Sequence, residues 1–158
     1  MTRQTIIVTV VWLTLSGFIY YLIDNIQNPN KINQLGNESI VVLKRGLDGH
    51  YRAEALINGK KVDVLVDTGA SGVAISQRIA DKLNLKSIDA VQTNTANGDS
   101  VGYVVRLKSV QIGGIRANDV SAMIAPNLDD DALLGMSFLN RMDVRIYKGK
   151  MTIKSASE

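Results

Sequence analysis

Cysteine is absent from the 158 residues, and histidine occurs once, at His50. The first absence rules out a disulfide framework and any thiolate metal site. The second argues against a histidine-based triad and against zinc held by two or more histidines. His50 falls at the start of an expected strand and reads as an ordinary surface residue. The excess of one sign of charge over the other is also small. The net charge of +3 is spread along the chain rather than gathered into a stripe, so nucleic acid is not an expected partner. The aspartate triplet Asp129-Asp130-Asp131 lacks the spaced ligands of a calcium loop and reads as solvated. Neither a metal nor a cofactor is expected.

One long run has no charge at all. Thr5 to Ile23 is entirely uncharged, and as a helix it would span roughly 28 Å, about the hydrocarbon thickness of a bilayer. Tyr20 and Tyr21 sit near its far end, where interfacial aromatics are favoured. Arg3 and the amino terminus precede the run. Asp24 follows it, and the next cation is Lys31. The positive-inside rule therefore places the N-terminus in the cytoplasm and the remainder outside. A cleaved signal peptide is the alternative, but its apolar region is normally shorter and ends in an Ala-x-Ala-like site that is not found here. Residues 1–24 are read as a transmembrane anchor. Residues 25–37, rich in Asn and Gln with Pro29 and Gly36 as breakers, are read as a flexible linker reaching roughly 20 Å. Residues 38–158 form the remaining domain, long enough for one real core.

That domain is dense in short strand signals. Ser39 to Arg45 is apolar, and Asp48-Gly49 is its turn. Tyr51, Ala53, Ala55 and Ile57 alternate onto one face, and Asn58-Gly59 marks a two-residue hairpin. Val62, Val64 and Val66 bury one face of the returning strand. Val73 to Ile75 is a short strand, and Ser76 is the N-cap of a helix with Ile79, Ala80 and Leu83 inward. Val91 to Asn94 and Val101 to Val110 form a hairpin whose tip is Thr95-Ala96-Asn97-Gly98-Asp99-Ser100. Gly113-Gly114 and Asn118-Asp119 are expected turns, and Val120 to Ala125 a strand. A short helix is expected over Ser137 to Arg141. Asp143 to Tyr147 and Met151 to Lys154 make a last hairpin around Lys148-Gly149-Lys150. Many short strands with one or two short helices predict an all-β, closed barrel.

Val64-Leu65-Val66-Asp67-Thr68-Gly69-Ala70-Ser71-Gly72 is the stretch that carries chemistry. An apolar strand delivers the Asp67 carboxylate to the edge of the core, and a loop of small residues follows. Ala132-Leu133-Leu134-Gly135-Met136-Ser137-Phe138-Leu139 comes near the end. Asp67-Thr68-Gly69, the hairpin about thirty residues on and the Leu133-Leu134-Gly135 segment resemble, in order and spacing, the retropepsins, the retroviral-type branch of the aspartic proteases. The resemblance covers about Glu38 to Lys154. It implies that Asp67 is catalytic, with Thr68, Gly69, Ala70 and Ser71 forming its loop. It implies that Thr95, Ala96, Asn97, Gly98 and Asp99 are a flap over bound peptide, and that Leu133, Leu134 and Gly135 pack behind the loop.

Peptide hydrolysis by aspartate needs two carboxylates close enough to share one proton, which splits their pKa values. Asp63 lies on the same strand, roughly 13 Å from Asp67 and too far away. The second carboxylate is therefore expected from the Asp67 of another copy, in an isologous dimer. The resemblance implies the same, with Thr68 hydrogen-bonding across the axis. Ala70 stands where two-lobed pepsin-like enzymes carry a hydroxyl that bonds the carboxylate. A hydrogen bond to the charged form lowers a carboxylate pKa, so its absence predicts activity nearer neutral pH. The chain is thus expected to be a homodimeric aspartic endopeptidase acting on extended peptide segments of proteins. A catalytically silent module for dimerisation or peptide binding is the alternative. Similarity to membrane-tethered bacterial retropepsins implies a single-pass protein of the inner membrane, with its domain in the periplasm.

Overall fold

A computed structural model describes residues 2–27, Asn30, 39–95 and 98–155. The uncharged run forms one helix, α1 (Arg3–Gln27), with no buried residue in the stretch Arg3–Asp24, which is long and apolar enough to cross a membrane. The rest is mostly β. In chain order it comprises β1 (Ile40–Lys44), β2 (Tyr51–Ile57), β3 (Lys60–Val66), β4 (Val73–Ser76), α2 (Gln77–Lys82), β5 (Asp89–Thr95), β6 (Gly98–Ile112), β7 (Ile115–Ala125), β8 (Ala132–Leu134), α3 (Met136–Leu139), β9 (Met142–Tyr147) and β10 (Lys150–Ser155).

Six strands close a barrel in the order β2-β3-β8-β4-β7-β6. The ring returns to β2 through Leu56 opposite Gln111 and Ile57 opposite Val110. Closure removes the exposed edges that an open sheet would leave. Alternation sets which face goes in. Tyr51, Ala53, Ala55 and Ile57 of β2 are buried, as are Val62, Val64 and Val66 of β3. Asn58 and Gly59 join these strands with φ of 51° and 81°, the left-handed pair that a tight hairpin requires. Lys148 and Gly149 do the same between β9 and β10, so Lys150 belongs to the strand. A second, three-stranded sheet, β1-β10-β9, lays Val41, Leu43, Met151 and Ile153 on the same core as the barrel. Ser76 caps α2 as expected, accepting the Ile79 N–H at 3.4 Å.

Two features differ from expectation. Asn118-Asp119 is not a turn; β7 runs straight through it. The buried positions are Ile115 and Ala117 before it, and Val120, Ala122 and Ile124 after it. The alternation therefore changes phase at the pair, and Asp119 absorbs the change with φ of 54°. The Asn-Asp signal for left-handed backbone is real, but it marks a kink that lets one long strand swap faces around the barrel. The second feature lies in the expected linker, 25–37. Its first residues continue α1 to Gln27, and 28–29 and 31–37 fall outside the described residues. Asn30, however, is buried against the domain. Its Nδ2 donates to the carbonyls of Lys44 (2.9 Å) and Arg52 (2.8 Å), and its Oδ1 accepts the Lys44 N–H (2.9 Å). Its carbonyl also accepts the Glu54 N–H at 3.3 Å.

Candidate active site

β3 ends at Val66, and its parallel partner β8 ends at the paired residue Leu134. The Asp67 N–H continues that ladder by one rung, donating to the Leu134 carbonyl at 3.1 Å. Asp67 is thereby fixed where two buried strands stop. Its Oδ1 accepts the Gly69 N–H at 2.8 Å, a local turn that holds the carboxylate against its own loop. The Asp67 side chain is half-buried, whereas Thr68 and Gly69 are exposed.

The far side of the loop is seated on α3. The Ala70 carbonyl accepts the Met136 N–H at 2.8 Å, and the Ser71 carbonyl accepts the Ser137 N–H at 3.0 Å. Ser137 Oγ accepts the Val73 N–H at 3.1 Å and donates to the Ser121 carbonyl at 3.4 Å, joining the loop to β4 and β7. Gly135 makes this contact possible. A Cβ there would lie 2.3 Å from the Gly72 oxygen and 2.5 Å from the Ala70 oxygen. Its φ of −98° is open to any residue, so space and not conformation demands glycine.

The expected site residues fall into two groups in space. Asp67 to Ser71 and Leu134-Gly135 meet directly, through the bonds just given. Leu133 lies beside them in β8, paired with Leu65 and Ala74. The hairpin tip forms a separate group. Among the described residues β5 pairs with β6 alone, outside the ring, and the two strands run on to Thr95 opposite Gly98, further than expected. Ala96 and Asn97 lie outside the described residues, as do the side chains of Thr95 and Asp99. Lower in the hairpin, Gly102 lies under Met123, whose Sδ would be 2.1 Å from a Cβ at that position. Ser137 is the site residue that sequence reasoning missed. It was read only as a helix start, although a serine two residues after the glycine was its one available signal.

Three other carboxylates near β2 and β3 are engaged away from Asp67. Asp130 pairs with Arg52, Asp131 with Arg78, and Glu54 with Lys61 at 2.7 Å. A cavity of about 460 Å³ lies among these groups and includes Asp63 and Asp129 in its lining, but not Asp67. Asp48 is held below the usual carboxylate range, first by the His50 main-chain N–H and then by Arg52. Arg52 is in turn held above its ordinary value by Asp130 and Asp48.

The family described as gag-polyprotein putative aspartyl protease matches residues 53–141, more than half of the chain, and the protein belongs to it. A crystal structure of a retropepsin-like aspartic protease from Rickettsia conorii superposes with a TM-score of 0.64 at 32% identity, covering 73% of this chain and 90% of that one. The retropepsin-like barrel expected from the sequence is therefore the fold observed. An uncharacterised protein of a Sinorhizobium species is 37% identical over 108 residues, 66% of this chain and 46% of the relative. One from Rickettsia prowazekii is 38% identical over 104 residues, 64% of this chain and 45% of the relative. The matched part thus spans less than half of either relative's length.

Proposed function

We propose that the protein is an aspartic endopeptidase whose active site is completed by two copies of the chain. The observation that carries this reading is the half-buried Asp67 carboxylate, held by its own loop at the end of two strands, with Thr68 and Gly69 exposed beside it. Half a site of this kind needs a second carboxylate, and a two-fold axis beside Thr68-Gly69 would supply the Asp67 of the other copy. The sheet β1-β10-β9 supports the pairing. Among the described residues β9 has no strand on its outer edge, and Ile146 and Tyr147 are exposed there. Such an edge is a ready partner for another chain.

In the dimer the two carboxylates share one proton, and the titration belongs to the pair. The ionised member takes a proton from water as the water oxygen attacks the peptide carbonyl carbon. The protonated member gives its proton to the carbonyl oxygen. Collapse of the tetrahedral intermediate breaks the C–N bond, with a proton passed to the leaving nitrogen. An extended peptide would lie between the β5–β6 hairpin and the pair, bonded through its main chain as an added strand. Helix α1 would anchor the protein in the inner membrane, N-terminus inside, with the domain on the periplasmic face. The exposed, uncharged span and Arg3 ahead of it support that orientation.

Mixing parent with Asp67→Asn subunits tests the shared site. Asparagine keeps the shape but cannot supply an ionisable carboxylate, so hybrids should be inactive. Cleavage should fall roughly as the square of the parent fraction, the random-pairing result for an isologous pair. Activity that stays constant per parent subunit, with exchange demonstrated, would refute the dimeric site. Dimers that bind peptide and never cut it would leave the binding module instead.

A further inference from the structure

We propose that Asn30 is a tie that fixes the height of the barrel above the membrane, so that the protein cuts only segments close to the bilayer surface in proteins anchored in the same membrane. The inference rests on the anchored, proteolytic reading above.

The argument is one of chain length. The apolar span ends at Asp24, and α1 continues to Gln27, a rise of roughly 4.5 Å. From Gln27 to Asn30 the chain reaches at most about 10 Å, even fully extended. Asn30 therefore lies within about 15 Å of the end of the span, whatever path the chain takes. After Asn30 the described residues resume at Ser39, and β1 starts at Ile40. A flexible chain from Gln27 to Ile40 would then have a root-mean-square reach of roughly 20 Å and an extended reach of about 45 Å.

Asn30 is built to hold. It is 4% exposed, and its amide is matched to three main-chain groups at 2.8–2.9 Å, donating to Lys44 and Arg52 and accepting from Lys44. It thereby pins the last residue of β1 and the outer edge of β2 at once, one in each sheet. Only an amide can do this. An aspartate would set a carboxylate oxygen against two carbonyls, and an alanine would leave all three groups without it.

The tie also sits near the chemistry. Asn30 flanks β2, Arg52 of β2 lies opposite Leu65 of β3, and Asp67 follows Leu65 by two residues. At ordinary strand spacings this puts Asp67 about 12 Å from Asn30. Asp67 then lies within about 30 Å of the end of the apolar span.

The test uses the full chain in liposomes with a series of membrane-anchored substrates. Each carries one cleavable sequence, chosen first as a free peptide, at a graded distance from its own transmembrane helix on stiff helical spacers. Cleavage should drop at least tenfold between sites roughly 25 Å and 60 Å from the surface. Forty flexible residues inserted after Gln27, upstream of the tie, extend the coil's root-mean-square reach to roughly 36 Å and should raise cleavage at the distal site at least fivefold. The same insertion after Gln34, downstream of it, should leave the window unchanged. Asn30→Asp should widen the window while cutting free peptide at the parent rate. Equal cleavage at both distances by the parent, or equal widening by the two insertions, would overturn the tie. Failure of the parent to cut any free peptide would instead remove the proteolytic reading, and this inference with it.

Discussion

The loop at Asp67 is held differently on its two sides. Behind, Ala70, Ser71 and Gly72 are pressed against Gly135, Met136 and Ser137, with main-chain bonds of 2.8 and 3.0 Å and no room for one added methyl. In front, Thr68 and Gly69 are exposed, and the carboxylate is oriented by one N–H of its own loop. The back decides where the carboxylate sits. The front leaves it open to solvent, as the proposed two-copy site requires. The proposed two-copy site asks for this asymmetry, because it requires one group to be placed within a fraction of an ångström and still be open to a second copy.

Gly135→Ala attacks the back most directly. The atoms that its methyl would meet are main-chain oxygens of Gly72 and Ala70, with no flexible side chain to give way. The loop or α3 must shift, at a cost of about 1–3 kcal/mol in unfolding free energy. Peptide cleavage should fall with it, because the shift moves Asp67. Urea unfolding together with a cleavage assay would check both. Parent-like stability and activity in Gly135→Ala would mean that the back of the loop does not set the front.

Ser137→Ala is the milder version of the same experiment. It removes the acceptor of the Val73 N–H and the donor to the Ser121 carbonyl, both half-buried or at the surface where water can substitute. A loss of about 1 kcal/mol is expected, with activity reduced but present. Ser137→Ala losing more stability than Gly135→Ala would reverse the ranking of packing over hydrogen bonding in this contact.

The two sides were unequally legible in the sequence. The front could be read because Asp67-Thr68-Gly69 is local, and β3 could be read because Val62, Val64 and Val66 alternate. Turns whose geometry depends on two residues, such as Asn58-Gly59, were equally clear. The back depends on residues about 65 positions apart meeting through main-chain oxygens, and no pattern in either segment announces that Ser137 reaches Val73. Asn118-Asp119 shows the converse error. Its local preference for left-handed backbone was read correctly, but the pairing of β6 with β7 on both sides turned a would-be loop into a kink. Asn30 was hidden for the same reason as Ser137, since its partners Lys44 and Arg52 are distant in sequence.

Asp48 offers a control carboxylate with the smallest expected effect, and it separates charge that supports the fold from charge reserved for chemistry. Its oxygens accept the His50 N–H at 3.0 Å and meet Arg52 at 3.0 Å, and these contacts lower its pKa in the folded state. The sign follows from that direction. A carboxyl group whose folded pKa lies below its unfolded value stabilises the fold above the unfolded pKa, and the stabilisation is lost as pH falls through the folded one. Asp48→Asn should therefore lower the unfolding free energy at neutral pH, and the difference from the parent should shrink towards zero in strong acid. Both side chains are about half exposed, at 45% and 46%, so solvent screening holds the effect below about 1 kcal/mol. Asparagine can still accept the His50 N–H, which isolates the charge on the Arg52 side. The pH profile of cleavage should be the same in Asp48→Asn as in the parent, because the proposed mechanism assigns its acid limb to the Asp67 pair. A stability difference that persisted undiminished in acid would show that shape, and not charge, is what Asp48 contributes.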